Sequence, residues 1–283
     1  MSNLHLYVVE TYHKEKEEAI ISIKEEISSQ ELSMLDSAFR ICGLYHRMTQ
    51  IKNIVVENGE SFKQYMRSEN LKEIRRNNIS PDRAIMLANK SVLNYATSIK
   101  TYIDMETRIL KKNASQDDSL KSFEAICRFF YDNNMEYRFW VNFRNYIVHC
   151  EFPYSIYHES VDKGCEIICI KENLLQFDNW KHSKTDIQQM SDPVDLPALV
   201  DKMSSMIYAL YIDFFRYFSE DILDGISTYG SFCRKYNVKA PAILKAEDRE
   251  KIEGSRLQPL PVEELRTSFD LLRTNPKIDI NIK

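Results

Sequence analysis

Glycine is scarce in this sequence, with six residues among 283. Nucleotide-binding loops of the Rossmann and P-loop types need several closely spaced glycines, because the backbone must turn tightly and approach the phosphate groups. No such cluster occurs here, so neither fold is expected. No serine or cysteine stands in the glycine-flanked turn that carries the nucleophile of α/β-hydrolases. The sequence therefore excludes several large enzyme classes.

Long apolar runs are also missing: no segment reaches the length of a membrane-spanning helix, and the first residues lack the apolar core of a secretion signal. The cysteines fit reduced thiols better than a disulfide framework. They are Cys42, Cys127, Cys150, Cys165, Cys169 and Cys233. Cys165 and Cys169 have no second pair of cysteine or histidine ligands, so no metal site is predicted. We expect a cytoplasmic protein without a membrane partner, a metal or a cofactor.

An excess of positive charge is absent as well. The chain has 38 lysine and arginine residues against 42 aspartate and glutamate residues, which gives a formal net charge of −4. A protein that binds nucleic acid non-specifically over much of its surface would carry more basic than acidic residues. Any RNA site must therefore be a local basic patch, and Arg138 together with Arg144 is a candidate for it.

The residues that are common, such as glutamate, lysine, leucine and isoleucine, predict a mainly α protein. Ser80 as the cap and Pro81 at the first helical position predict a long helix that continues to Lys112. A second helix is predicted over Met135–Cys150. Apolar and polar residues then alternate on both sides of Gly164, which predicts a β-hairpin near residues 154–171.

Three consecutive parts are expected along the chain. Residues 1–79 form an N-terminal helical segment, although the charged stretch ahead of Ser29 fits either a helix or a strand. Residues 80–240 form the helical core that carries the hairpin. Residues 241–283 form an irregular C-terminal tail with one short helix, because four prolines interrupt it.

The most informative segment reads YRFWVNFRNYIVHCEFP, residues 137–153. Its apolar residues recur with the period of a buried helix, and Pro153 ends that helix shortly after His149. Asn145 and His149 are four positions apart and therefore share one helix face. Arg144 directly precedes Asn145. The sequence thus predicts an arginine, an asparagine and a histidine together at one end of an aromatic helix.

These three side chains suit the cleavage of RNA without a metal ion. The reaction needs proton transfer at the attacking 2′-hydroxyl and at the leaving 5′-oxygen, and charge stabilisation at the phosphate. His149 suits one of the proton transfers. Arg144 suits the phosphate, because its guanidinium donates two parallel hydrogen bonds and stays charged. Asn145 would orient His149 or hold the phosphate, so all three residues are predicted to be catalytic.

The pattern Arg-Asn-x-x-x-His at a helix end resembles the signature of the HEPN superfamily (higher eukaryotes and prokaryotes nucleotide-binding domain). A long upstream helix that precedes the motif helix is similar as well, and the resemblance covers roughly residues 80–220. It implies a HEPN-like helical bundle and an endoribonuclease that leaves a 2′,3′-cyclic phosphate. It also implies a homodimer with a shared groove for RNA. The biological role implied is that of a toxin or phage-defence effector, restrained by an antitoxin or a regulatory partner.

Four further residues are candidates for substrate binding or for positioning the motif. Asn94 and Asp104 are isolated polar residues on the upstream helix, and they either support the motif or face solvent. Tyr146 either stacks on a base or belongs to the core. Arg138 is the additional cation of the predicted basic patch.

The competing hypothesis is a non-catalytic helical module that binds a partner protein or a nucleotide. In such a module, the arginine, asparagine and histidine form a buried hydrogen-bond network that caps the helix. The two hypotheses differ in one structural property. A ribonuclease needs His149 open to solvent, whereas a capping network needs His149 buried and hydrogen-bonded.

Overall fold

A computed structural model describes residues 5–13, 19–67, 71–73, 76–77, 79–113, 117–160, 164–248 and 255–278. The first half contains β1 (His5–His13), β2 (Ala19–Glu26), α1 (Ser29–Ala38), α2 (Arg40–Met66), α3 (Pro81–Asn113), α4 (Asp117–Asn133) and α5 (Met135–His149). The second half contains β3 (Tyr154–Ser160), β4 (Gly164–Cys169), α6 (Lys171–Leu175), α7 (Ser183–Gln189), α8 (Val200–Arg216), α9 (Ser219–Tyr236), β5 (Pro241–Ala246), β6 (Arg256–Pro259) and α10 (Val262–Thr274). Two short 3-10 helices lie at Asp178–Trp180 and Pro197–Leu199.

The chain divides into two compact units. The terminal unit consists of Met1–Arg47 and Phe215–Lys283, and the central unit consists of Met48–Phe214. This division differs from the three consecutive parts expected from the sequence, because both ends of the chain belong to one unit. The prediction of a mainly α protein is confirmed. None of the described helices combines the length and the apolar character that crossing a bilayer requires.

The terminal unit contains a four-stranded antiparallel sheet in the order β2-β1-β5-β6. β1 pairs with β5 in a register that brings Val9 opposite Ala242. Tyr7, Val9 and Leu244 are buried in one cluster, with Ala242 beside them. In the same unit α9 packs against both α1 and α10. The unit therefore has an apolar core of its own, made from both ends of the chain.

Two sequence-based expectations are wrong in this unit. The predicted helical segment over residues 1–79 begins with two strands, which resolves the open alternative ahead of Ser29 in favour of a strand. The tail over residues 241–283, predicted to be irregular apart from one short helix, also contains the strands β5 and β6. The predicted short helix itself is present as α10. The strands form because β5 is stabilised by pairing with β1, from the opposite end of the chain. A local residue pattern does not reveal such a pairing.

In the central unit, α3 and α5 pack against each other in opposite directions. Asn89, near the start of α3, binds the backbone of Tyr154 just beyond the end of α5. Farther along α3, the ring centroid of Tyr95 lies 4.7 Å from that of Trp140, near the middle of α5. The second half of α3 therefore lies beside the first half of α5, away from the motif.

The inward face of α5 is aromatic, as its residue period predicts. Phe139, Trp140, Phe143 and Tyr146 are fully buried. The Trp180 ring stacks on Phe139, with 5.4 Å between their centroids. Because rings pack along most of its length, α5 has a fixed rotation about its axis. The side chains on its opposite face therefore have a defined direction toward solvent.

The predicted hairpin is present as β3 and β4, which pair from Tyr154 opposite Cys169 to Ser160 opposite Gly164. The side chain of Asn89 joins this hairpin to α3. Its Nδ2 donates to the Tyr154 carbonyl at 2.7 Å, and the Tyr154 backbone N–H donates to its Oδ1 at 3.1 Å. Both main-chain polar groups of the first hairpin residue are thus satisfied by one amide. The hairpin is held in place directly after the motif helix.

Candidate functional site

The predicted motif lies at the carboxyl end of α5. The helix ends after His149, where the backbone N–H of Cys150 donates to the Tyr146 carbonyl at 2.8 Å. Asn145 and His149 are exposed, and Arg144 is half-buried. One helical turn, a rise of about 6 Å, separates Asn145 from His149. Arg144 directly precedes Asn145 and is rotated from it by about 100° around the helix axis, so it lies on the adjoining face. The structure therefore brings the three predicted catalytic residues to one accessible helix end.

None of the three side chains is held by another described residue in a hydrogen bond or ion pair. This arrangement differs from the buried capping network of the competing hypothesis, in which His149 would be buried and bonded. The guanidinium of Arg144 offers two parallel donors for phosphate oxygens. The imidazole of His149 can accept or donate a proton. The side-chain amide of Asn145 can accept or donate a hydrogen bond.

Three large apolar side chains are exposed along the chain beside the motif. Val148 is 52% exposed, Phe152 is 49% exposed and Ile156 is 38% exposed. Val148 precedes His149 in α5, Phe152 follows the helix, and Ile156 lies on β3. Three exposed apolar side chains so close together in the chain make this stretch a candidate for a surface that another molecule covers. We call Val148, Phe152 and Ile156 the apolar rim of the motif.

Arg138 does not serve as a free cation for RNA, and this prediction is wrong. Its Nε and Nη2 donate to the two carboxylate oxygens of Asp186 at 2.8 and 3.0 Å. Its Nη1 donates to the carbonyls of Tyr131 and Asp132 at 2.7 and 2.9 Å. Hydrogen bonding to Asp186 also raises the pKa of Arg138. The guanidinium therefore joins α5 to α7 and to the end of α4 as a structural link.

Tyr146 belongs to the core, which decides between the two alternatives left open by the sequence and excludes stacking on a base. The residue is fully buried, and its ring stacks on Trp180 at 5.5 Å between centroids. Burial raises the pKa of its hydroxyl, and this oxygen has no hydrogen-bond partner among the described residues. No surface of the ring remains open to a nucleotide base.

Asn94 and Asp104 both face solvent on α3. The Asp104 carboxylate forms an ion pair with Lys100 of the same helix at 2.7 Å. Asp104 lies in the second half of α3, which runs beside the first half of α5 and away from the motif. Asn94 lies about 15 Å from Asp104 along the axis of α3. Neither side chain has a described contact with the motif, so of their two open alternatives the structure favours solvent exposure.

Asn89 is a residue of the site that the sequence analysis did not identify. It is 6% exposed and fixes the hairpin that follows the motif. The signal was present in the sequence, because Asn89 follows the buried Ala88 and stands three positions before the buried Val92. An amide on the apolar stripe of a helix needs a buried partner. That partner, the backbone of Tyr154, is not identifiable from the sequence.

The interior of the central unit contains a buried carboxyl group that was also missed. Glu106 of α3 is 0% exposed, and neither of its carboxyl oxygens has a hydrogen-bond partner among the described residues. Burial raises its pKa well above the ordinary value. Tyr102, one turn earlier, opposes part of this rise without reaching hydrogen-bond geometry, and the buried Asp213 adds to it. Glu106 is therefore protonated over a wide pH range.

Comparison with known proteins gives no indication of the function, so the functional argument depends on the residues of this chain. No protein family, no characterised protein and no solved structure matched it. The three side chains at the end of α5, the apolar rim beside them and the hairpin fixed by Asn89 together define the candidate site. Its chemistry is that of a fixed cation and a proton carrier on neighbouring helical turns.

Proposed function

We propose that this chain is a metal-independent endoribonuclease of the HEPN type, with Arg144, Asn145 and His149 as its catalytic residues. One observation carries the proposal: at one accessible helix end, none of the three side chains has a hydrogen bond or ion pair with another described residue. A structural role for these residues would need partners for them within the fold. The resemblance of Arg-Asn-x-x-x-His to the HEPN signature adds the reaction type.

In the proposed reaction, the ribose 2′-oxygen attacks the neighbouring phosphorus and the bond to the 5′-oxygen breaks. The products are a 2′,3′-cyclic phosphate and a 5′-hydroxyl. Arg144 stabilises the negative charge that grows on the phosphate oxygens. His149 either takes the proton of the 2′-hydroxyl or gives a proton to the leaving 5′-oxygen. Asn145, one turn before His149, orients the imidazole or the phosphate.

A single imidazole fills only one of the two proton-transfer roles at a time. A second copy of the chain, related by a two-fold axis, would supply a second imidazole on the other side of the phosphate. The apolar rim supports this homodimer, because Val148, Phe152 and Ile156 expose apolar surface within seven residues of His149 in the chain. Two motifs facing each other would then form one groove for RNA.

For the dimer, we expect a solution mass of about twice the 33.4 kDa of one chain at micromolar concentration. Phe152→Lys is expected to raise the dissociation constant of the dimer about tenfold or more, because it introduces a charge into an apolar contact. Phe129→Lys is the matched control, since Phe129 is 60% exposed on α4. Analytical ultracentrifugation measures both, and a wild-type chain that stays monomeric would contradict the dimer.

The ribonuclease proposal is tested with purified wild-type protein and a short labelled RNA in excess EDTA. We expect cleavage, with mass spectrometry showing cyclic phosphate ends on the upstream fragments. The same sequence with 2′-O-methyl groups is expected to remain intact, because it lacks the attacking hydroxyl. Cleavage that stops in EDTA, or products with 5′-phosphates, would refute a metal-independent mechanism.

The apolar rim also favours a second function, a non-catalytic module that binds a partner protein through this surface. Under that proposal the wild-type chain leaves RNA intact in the same assay.

If the chain is a ribonuclease, its host cell must restrain it. The proposed role is therefore a toxin or phage-defence effector held by an antitoxin or a regulatory partner.

A further inference from the structure

A second site lies in the central unit, in a cavity of about 320 Å³ beside β4. Its walls are β4, the loop that leads into the 3-10 helix at Pro197–Leu199, and the end of α2 at Met66. The loop is fixed to the strand, because the Val194 backbone N–H donates to the Cys169 carbonyl at 2.9 Å. This volume lies in the range of pockets that bind small molecules.

Tyr154 lines the cavity and supplies an unpaired polar group. The residue is 2% exposed, and its hydroxyl has no hydrogen-bond partner among the described residues. Two hydrogen bonds with Asn89 fix its backbone, and its ring packs against the buried Phe62 with 6.3 Å between the ring centroids. Buried hydroxyls are nearly always hydrogen-bonded in native proteins. Next to a cavity, a buried hydroxyl without a partner among the described residues offers a hydrogen bond to a bound molecule.

The charged groups of the cavity are acidic. Asp195 and Glu166 line it, and no lysine, arginine or histidine does so among the described residues. One oxygen of Asp195 accepts the Ala198 backbone N–H at 3.3 Å, which leaves its second oxygen available. Burial, together with Cys169 and Asp195, raises the pKa of Tyr154, so its hydroxyl stays neutral. A neutral hydroxyl can accept a hydrogen bond from a cation.

The remaining lining is largely apolar, with Met66 and Val194 among its residues. An acidic group and a hydroxyl beside apolar walls together select a ligand with two parts. One part carries a positive charge with N–H donors, and the other is a compact apolar group. An anion is disfavoured, because it would meet two carboxylates.

We propose that this cavity binds a small organic cation, a guanidinium or amidinium joined to an apolar group. Its N–H groups donate to the Tyr154 hydroxyl and to the Asp195 carboxylate, and its apolar group packs against Met66 and Val194. The site uses none of the residues assigned to RNA cleavage. The proposal therefore goes beyond the ribonuclease function and stands without it.

The test is isothermal titration calorimetry of the full-length chain with phenylguanidine. Phenylurea is the matched ligand, because it has nearly the same shape and no charge. We expect phenylguanidine to bind at least about tenfold more tightly, since the carboxylate and the hydroxyl recognise its charge. Equal affinity for the two compounds, or no heat with phenylguanidine at millimolar concentration, would overturn the proposal.

Two variants identify the site. Tyr154→Phe keeps the ring, and Asp195→Asn keeps an oxygen for the Ala198 N–H while it removes the charge. Each is expected to weaken phenylguanidine binding about tenfold, as loss of one hydrogen bond to a charged group predicts. Asp104→Asn, at an exposed position of α3, is expected to change nothing. If either folded site variant binds like wild type, the cavity is not the site.

Discussion

His149→Ala is expected to lower the rate constant of RNA cleavage by about a hundredfold to ten-thousandfold. The reason is that the variant loses the proposed proton carrier from every copy of the motif. Arg144→Lys is expected to lower it about a hundredfold, although the positive charge remains, because an ammonium does not donate two parallel bonds to a phosphate. Single-turnover cleavage of a labelled RNA in excess EDTA measures both rate constants.

Matched controls separate catalysis from folding. His46→Ala removes an exposed histidine from α2, and Arg108→Ala removes an exposed arginine from α3. Both controls are expected to cleave RNA at the wild-type rate. His149 is itself exposed, so His149→Ala should unfold at the wild-type denaturant concentration. Retention of more than half of the wild-type rate by His149→Ala would remove this histidine from the mechanism.

Glu106→Gln is expected to abolish much of the pH dependence of stability above about pH 5. In the folded state, burial raises the Glu106 pKa well above the ordinary 4.5, so the folded chain holds a proton that the unfolded chain releases. The contribution of Glu106 to the free energy of unfolding is therefore highest below pH 4.5. It falls by about 1.4 kcal/mol for each pH unit above that, until the folded pKa is passed.

Urea unfolding at several pH values from 5 to 8 measures this slope. The wild-type chain is expected to lose stability across the range, whereas the glutamine variant keeps a nearly constant contribution at position 106. Glu124→Gln, at an exposed position of α4, is the control for replacing a carboxyl by an amide at the surface. Equal slopes for the wild type and Glu106→Gln would show that the unfolded chain and the folded chain bind this proton alike.

The sequence predicted local features of the fold with success. The period of Phe139, Trp140 and Phe143 predicted a helix buried on one face, and the alternation around Gly164 predicted the hairpin. Both patterns depend on residues that are close in the chain, so they can be recognised without knowing the fold. The sheet of the terminal unit was missed because β1 and β5 are stabilised by each other across nearly the whole chain.

For the candidate site, too, only the features that depend on residues close in sequence were predictable. Helical spacing alone predicted that Asn145 and His149 share a face. The burial of Tyr146 was not predictable, because its position in the helical repeat of α5 fits both the buried face and the edge of the exposed face. Nor was the position of Arg138 predictable, since its partner Asp186 lies on another helix. Whether a polar residue is free or paired depends on contacts that are distant in sequence.

The pairing of β1 with β5 also means that the sheet of the terminal unit cannot be completed before β5 has been synthesised. During synthesis β1 is made before β5, and the partners Glu10 and Pro241 are separated by about 230 residues of chain. Before β5 is present, β1 has β2 as its neighbour on one side and an unsatisfied edge on the other. Unpaired strand edges attract other chains. Until β5 has been made, the free edge of β1 is therefore a place where one growing chain can pair with another.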